Sequence, residues 1–428
     1  MDQFRGYTVA GMFLVNFVGS FSAFHYIFRH NSGFFSYADS IMPGFIFCAG
    51  FSYRLTAVRR FAQMGSRQAC WSYIRRSLAL VLVSVSIYTF NADIGNSWIE
   101  IREVVGLGGA LTGFVCQFLK AGMWEVLSII GMTQILLLPV INRSVRSRLI
   151  AIVALPLLHV LASWSFNYSF ANGLPNWFNS IWGADNSTVW DGGMFGPLAW
   201  SLPMLAGALT YDLIAARTAP KACGTLLAVS LVLMVGGYLT NCLSRLYDHN
   251  PSLQPIVDSQ RESLQEQKAA LEAELEPLKA EIETLGPSDS EDGQSRRRGS
   301  KIIVPDDPVV AAQLRPLRRQ ERELSSQLKS IQRSLDSLER IALDPVVPSM
   351  ERLRTAEWAW ADPPFVKPEH EKQLFNYWLM DKGRMVSLPF TLFSTGFNLF
   401  LYALFIVIVD MGGMQSGVFR TLGQNPLA

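Results

Sequence analysis

The chain has 428 residues, half of them apolar, only 17% charged, with a net charge of +2 at neutral pH. So small a net charge offers no electrostatic footprint for nucleic acid or another strongly acidic partner. The charge is also unevenly spread: residues 251–345 hold 32 of the charged side chains, while the other 333 residues are only about 12% charged, half the usual value of about 25% for soluble domains. The composition is that of a membrane protein carrying one soluble insertion.

A bilayer crossing needs about 20 mostly apolar residues. In chain order the candidate spans are Tyr7–Phe24, Ala38–Tyr53, Ser77–Phe90, Met123–Ile141, Leu149–Phe166, Phe195–Ala215, Cys223–Leu243 and Val386–Val409. The glycine-rich stretch Gly95–Leu119 reads as re-entrant or interfacial. No cleavable signal peptide is evident, and the first segment is expected to stay as a helix. Basic residues concentrate in Arg54–Arg76, Asn142–Arg148 and between the sixth and seventh spans. By the positive-inside rule these loops and the N-terminus face the cytoplasm. The loop carrying His30, the Trp-rich Asn167–Met194 loop and the insertion then face outward, with Trp164, Trp177, Trp182 and Trp190 as an interfacial belt.

The insertion carries two heptad stripes, Leu264 to Leu285 and Leu314 to Leu338, separated by a Gly/Ser/Pro/Asp-rich loop. They predict an antiparallel coiled-coil hairpin, kinked at Pro277 and Pro316. The fold class is therefore all-α: a polytopic membrane helix bundle of about eight spans with this hairpin inserted. The expected divisions are 1–246 and 381–428 for the membrane part and 247–380 for the insertion.

Cysteines 48, 70, 116, 223 and 242 show no metal spacing and read as packing residues. No metal site, Walker loop or GxGxxG motif is present, and Gly106–Gly109 reads as a flexible turn. "SRRRGS" (295–300) reads as a solvated loop. Ionisable groups at membrane spans are functional suspects, and Asp2, Arg5, Asn16, His25, Arg29, His30 and Asp39 crowd into the first 39 residues. A neutral imidazole takes a proton from an attacking amine or hydroxyl, or attacks an acyl carbon itself, and a nearby carboxylate holds its ring. Read alone, His25 and His30 also fit interfacial loop residues, His159 fits a packing histidine, and His249 and His370 fit exposed positions.

The stretches "DQFRGYTVAGMFLVNFVGS" and "RHNSGFFSYADSIMPGFIFCAG" resemble the signature of the heparan-α-glucosaminide N-acetyltransferase family and its bacterial relatives. "DGGMFGPLAWSLPMLAGALTYDL", "WLMDKGRMVSLPFTLFSTGF" and "TLGQNPLA" resemble later elements in the same order. The tryptophan and glycine after the family histidine are replaced by "NSGFF", and the Pro-Glu expected after Asp191 is Gly-Gly. These differences imply a distant branch with an altered acceptor. The family's chain continues past the equivalent of Ala428 by about two spans.

The resemblance implies a multi-pass enzyme, in a bacterial inner membrane, that moves an acetyl group from cytosolic acetyl-CoA to an amine or hydroxyl of a sugar across the bilayer. The catalytic histidine falls on His30 and the family's asparagine on Asn16, with Asp39 orienting the local network. Asp2 and Arg5, near the cytoplasmic end, fix helix packing or meet the CoA. The expected partners are acyl-CoA, a glycan acceptor and the lipid bilayer, with a second copy or another protein engaged through the hairpin. The alternative is a non-catalytic transporter or scaffold using the hairpin as a binding arm.

Overall fold

The computed structural model describes residues 1–19, 21, 23–30, 35–88, 106–173, 176–182, 188–241, 254–285, 308–342, 354–355, 380 and 382–424. The chain divides into two compact units, Met1–Asn250 with Leu343–Ala428, and Pro251–Ala342. Among the described residues every regular element is helical.

The first unit contains α1 (Asp2–Val18), α2 (Tyr37–Tyr88), α3 (Gly106–Gly122), α4 (Val126–Ile141), α5 (Val145–Ala171), α6 (Trp177–Trp182), α7 (Gly196–Ala216), α8 (Ala219–Asn241), α9 (Leu388–Phe405) and α10 (Gly417–Gln424). Among the described residues five helical stretches are long and apolar enough to cross a membrane: Tyr37–Ile87, Val145–Ala171, Gly193–Ala216, Ala219–Thr240 and Leu388–Met411. The pair α3 and α4, bent by 91° at a short break, makes six if it counts as one span.

α2 covers the second and third expected spans at once. The basic segment Arg54–Arg76, expected as a loop, is helical except at Gly65, whose φ of 73° and ψ of 165° interrupt the helix. Only glycine adopts that backbone without strain. The chain reverses there: Tyr53 meets Tyr73 at 4.9 Å between ring centroids, the Tyr73 hydroxyl donates to Thr56 Oγ1, and Arg60 donates to Ser72 Oγ. A single glycine thus makes a helical hairpin from what reads as a long polar loop.

Glycines set the helix directions. A Cβ on Gly50 would lie 1.9 Å from the Met204 carbonyl oxygen, and one on Gly207 would lie 2.0 Å from that of Phe47. Phe51 meets Tyr211 and Arg54 meets Asp212, so α7 runs parallel to the first half of α2 with backbones in contact. α4 follows the same direction, since the Tyr53 hydroxyl donates to Gln134 O and Arg54 to Ile141 O. α9 does too, with Asn398 donating to Ser40 O and Tyr402 against Phe47. α1 is antiparallel, with Phe4 on Phe47 and Gly11 on Ile41. The starts of α2, α4, α7 and α9 therefore share one end of the bundle, here the first end. Gly65 and the α4–α5 and α7–α8 turns share the second. The core between them is built from Ile46, Phe47, Ile129, Leu137, Trp200, Met204 and Phe390.

The second unit is α11 (Gln254–Leu285) packed on α12 (Pro308–Ala342), with Val257, Leu275, Leu278, Leu314 and Leu338 buried. Each helix runs through its proline, Pro277 or Pro316, as one continuous helix. The "SRRRGS" stretch, His249, His370 and Cys242 lie outside the described residues.

Candidate functional site

Two residues expected to act together do meet. His30 Nδ1 lies 3.0 Å from Asp39 Oδ1. Asp39 is 0% exposed, whereas the His30 side chain is 44% exposed. The carboxylate owes its position to a helix start. Ser36 precedes the first turn of α2, its Oγ accepting from the Asp39 N–H at 3.3 Å, and the Ser36 N–H reaches Asp39 Oδ2 at 3.3 Å. This reciprocal pair is a capping box, which satisfies two backbone donors that the helix leaves orphaned. The Ser36 hydroxyl adds a donor 2.6 Å from Oδ2 and lies 3.0 Å from the Arg29 carbonyl.

The arrangement fixes the imidazole chemistry. An ionised Asp39 only accepts, so the proton of the shared bond sits on Nδ1. Nε2 then carries the ring's lone pair, on a side chain that is partly exposed. That is the tautomer a general base or an acyl-accepting nucleophile requires. His25 differs: it is exposed and its Nδ1 accepts from the Ile27 N–H at 3.4 Å. His159 is buried in α5 and bonded to the Met385 backbone, the packing role expected of it.

Asn16 is not brought to this pair. Its side chain is exposed on α1, between Phe13 and Phe17, which point out of the bundle. Arg5 and Asp2 do pair, at 2.7 Å, and Arg5 Nε donates to Gly423 O of α10. Arg5 also lines a cavity of about 170 Å³ with Cys48, Ser52, Tyr53, Arg76 and Gln134. The cavity lies between α1, both halves of α2, and α4. Ala49, on its wall, is ten residues along α2 from Asp39, or about 15 Å at helical rise. Its wall combines Arg5 and Arg76 with the apolar side chains of Phe45, Leu80 and Ile130.

Sequence reasoning passed over a second polar region at the first end. Lys120 is 0% exposed and sits 4.3 Å above the Phe170 ring, a cation–π contact. It belongs to a π-helical turn, Phe118–Gly122. Asp191 (φ 49°) and Val386 (φ 51°) have left-handed backbone, a true outlier for the β-branched valine. The two strained connections are tied together: the Asp191 N–H donates to Gly383 O at 2.6 Å, and Trp200 Nε1 donates to Asp191 O at 3.1 Å. Arg384 donates to Asn172 Oδ1 at 3.2 Å. A lysine inside an apolar segment was the signal for this region. The Gly106–Gly109 motif is also not a free turn, since it opens α3.

At the second end, Asp212 bridges Arg54 (3.0 Å) and the fully buried Arg148. Both arginines also donate to Ile141 O, closing the carbonyl end of α4. This knot joins α2, α4, α5 and α7. Within the described residues no group of three His, Cys, Asp or Glu side chains is placed to hold a metal ion. No protein-family model matches the chain, and no curated protein matches it.

Proposed function

We propose that the protein is an integral-membrane acyltransferase that moves an acetyl group from cytosolic acetyl-CoA to an amine or hydroxyl of a sugar on the far side of the membrane. The observation that carries this reading is the His30–Asp39 pair, a buried carboxylate holding an exposed imidazole at the first end of the bundle. The small cavity beside Arg5 and Arg76 is taken as one point on the donor's proposed path from the second end.

In the proposed reaction the acceptor nitrogen or oxygen attacks the thioester carbonyl while His30 Nε2 takes its proton. Asp39 stabilises the imidazolium across the Nδ1 bond. The tetrahedral intermediate expels the thiolate, which recovers the proton from His30 and leaves as CoA thiol. In the covalent variant Nε2 attacks the thioester carbonyl and the carbon–sulfur bond breaks, releasing CoA thiolate and an acyl-imidazolium held by Asp39. The acceptor then attacks the acyl carbon, Nε2 leaves with its lone pair, and the acceptor's proton passes to the thiolate to give CoA thiol. Arg5, held by Asp2, faces the anionic part of the donor. Asn16, exposed on α1, has no assigned step.

The proposed topology has eight crossings: α1, the two halves of α2, the bent α3–α4 pair, α5, α7, α8 and α9. The arginines at the second end support a cytoplasmic placement of that end. The N-terminus then faces the cytoplasm of a bacterial inner membrane. The second unit, read as an antiparallel coiled coil, serves outside as an arm for a second copy or another protein.

The test follows labelled acetyl-CoA with purified full-length protein and a panel of amino and hydroxy sugars, wild type against His30→Ala. Labelled sugar from wild type and its loss in the variant is the expected result. Absence of transfer from a well-folded wild type to every sugar removes the reading. Equal transfer by both proteins removes the dyad from it.

A further inference from the structure

The arginines around the Gly65 turn have more to do than mark a side of the membrane. Between Ser40 and Ala92 there are six arginines and no lysine, histidine or acidic residue. Arg54 is bound to Asp212 and Asn142, and Arg60 to Ser72 and the Tyr73 ring. Arg59, Arg67, Arg75 and Arg76 are exposed, and none has an ion-pair partner among the described residues. The segment from Ala62 to Gln68 is exposed throughout. The helical part of α2 before the turn, Tyr37–Met64, is 28 residues, about 42 Å at helical rise. That is longer than the hydrocarbon core of about 30 Å, so the tip extends into the headgroup region.

An apolar stripe leads to this tip and ends on it. Leu82 (67% exposed), Leu78 and Trp71 (58% exposed) follow one another at helical spacing along the second half of α2. Leu78 and Leu82 belong against acyl chains. Trp71, about two turns nearer the tip than Leu78, then sits at the interface, where its amphipathic ring is favoured. Arg67 is one turn further on. It shares an open groove of about 820 Å³ with Met64, Cys70, Trp71 and Ile74.

We propose that this hairpin tip is a docking site for an anionic phospholipid of the adjoining leaflet. The headgroup phosphate lies against Arg67 at the tip, the long Arg75 side chain reaches up past the interfacial Trp71 ring toward it, and the acyl chains run along Leu78 and Leu82. A soluble phosphate compound would satisfy the arginines but leave Trp71, Leu78 and Leu82, exposed on the same helix face, unexplained, so the lipid is the occupant the surface fits. The site is independent of the dyad and of the activity proposed above.

The experiment is native mass spectrometry of the full-length protein in detergent, titrated with phosphatidylglycerol or phosphatidylcholine. Wild type is expected to retain phosphatidylglycerol at least tenfold better. Each arginine made neutral should cost about fivefold, the equivalent of about 1 kcal/mol per basic residue near a charged surface. Arg67→Gln/Arg75→Gln should therefore lose most of the preference and Arg67→Lys should keep it. Trp71→Ala should weaken binding of both lipids. The preference in wild type should also shrink as salt rises, a readout that does not depend on the variants folding. Equal retention of the two lipids, a preference indifferent to salt, or an unchanged preference in a folded double variant overturns the proposal. Displacement of the lipid by millimolar adenosine 3′,5′-bisphosphate also overturns it, by assigning the arginines to a soluble anion.

Discussion

At the scale of single residues, the His30–Asp39 pair makes the sharpest demands. Removing the ring in His30→Ala should lower turnover by about 10²-fold or more if it acts as base, with acetyl-CoA binding kept. Asp39→Asn is a subtler probe. An amide places a donor where the carboxylate only accepts, and that favours the wrong imidazole tautomer. Turnover should fall by about 10²-fold while the fold survives. Ser36→Ala removes the cap hydroxyl, and the cost should appear first in stability, about 1 kcal/mol. Comparing initial rates with thermal unfolding of the same proteins separates these effects. His25→Ala and Asn16→Ala should stay near wild type, since neither side chain touches the pair. A 10²-fold loss in Asn16→Ala would mean that α1 turns this residue toward the site when substrates bind. A histidine and an acid flanking the start of an apolar segment marked the pair as a candidate, but the residues alone fitted an interfacial loop equally, and only the resemblance singled out His30 over His25. The exposure of Asn16 was not legible, since residue spacing along α1 does not say which face meets the bundle.

At the scale of helices, glycines decide the packing. Gly50 and Gly207 sit at a reciprocal backbone contact between α2 and α7. In lipid no hydrophobic driving force distinguishes a neighbouring helix from acyl chains, so small residues that allow close approach carry the association. Gly50→Ala or Gly207→Ala places a Cβ about 2 Å from a backbone oxygen that has no side chain to swing aside. Both should lower the thermal unfolding temperature in detergent by far more than Gly224→Ala, whose Cβ meets open space. Gly65→Ala tests a different cost, since nothing lies within 4 Å of its Cβ. Only backbone strain opposes it, about 1–3 kcal/mol. The apolar segments announced the helices. The arginine-rich stretch between two of them was misread as a loop because charge density marks solvent, whereas helix continuity depends on the absence of breakers. Gly65 is the one residue there whose backbone departs from the helix.

The whole molecule joins two compact units, and the expected insertion of 247–380 is wider than the helical unit, Pro251–Ala342. The heptad stripes were readable because leucines recur at fixed steps. Lys120, Arg148 and Asp212 were not singled out, because long-range pairing sets their roles: Asp212 meets Arg54 across 158 residues. A unit with its own buried leucines should be removable. Replacing 255–345 with a short Gly/Ser linker costs little closure entropy, which changes only logarithmically with loop length. The shortened protein should remain monodisperse and retain the wild-type unfolding temperature of the membrane part within a few degrees. Collapse into aggregates would show that the second unit is required to assemble the first.

The alternation of helix directions makes a prediction about sidedness. The chain turns back at the second end at Gly65, at the α4–α5 turn and at the α7–α8 turn. The second end gathers Arg59, Arg67, Arg143, Arg146 and Arg217, all exposed. Translocating such residues is costly, so this end should stay in the cytoplasm. Trp190, exposed in the connection before α7, belongs to the opposite end. In a background with the native cysteines replaced, Ser66→Cys should react with a membrane-impermeant maleimide only after the cells are opened. Trp190→Cys should react in intact cells. If Ser66→Cys reacts from outside, the His30 end faces the cytoplasm. An acceptor could then no longer meet the dyad across the membrane from the donor pool, and the transmembrane transfer would have to be abandoned even if His30 proved catalytic.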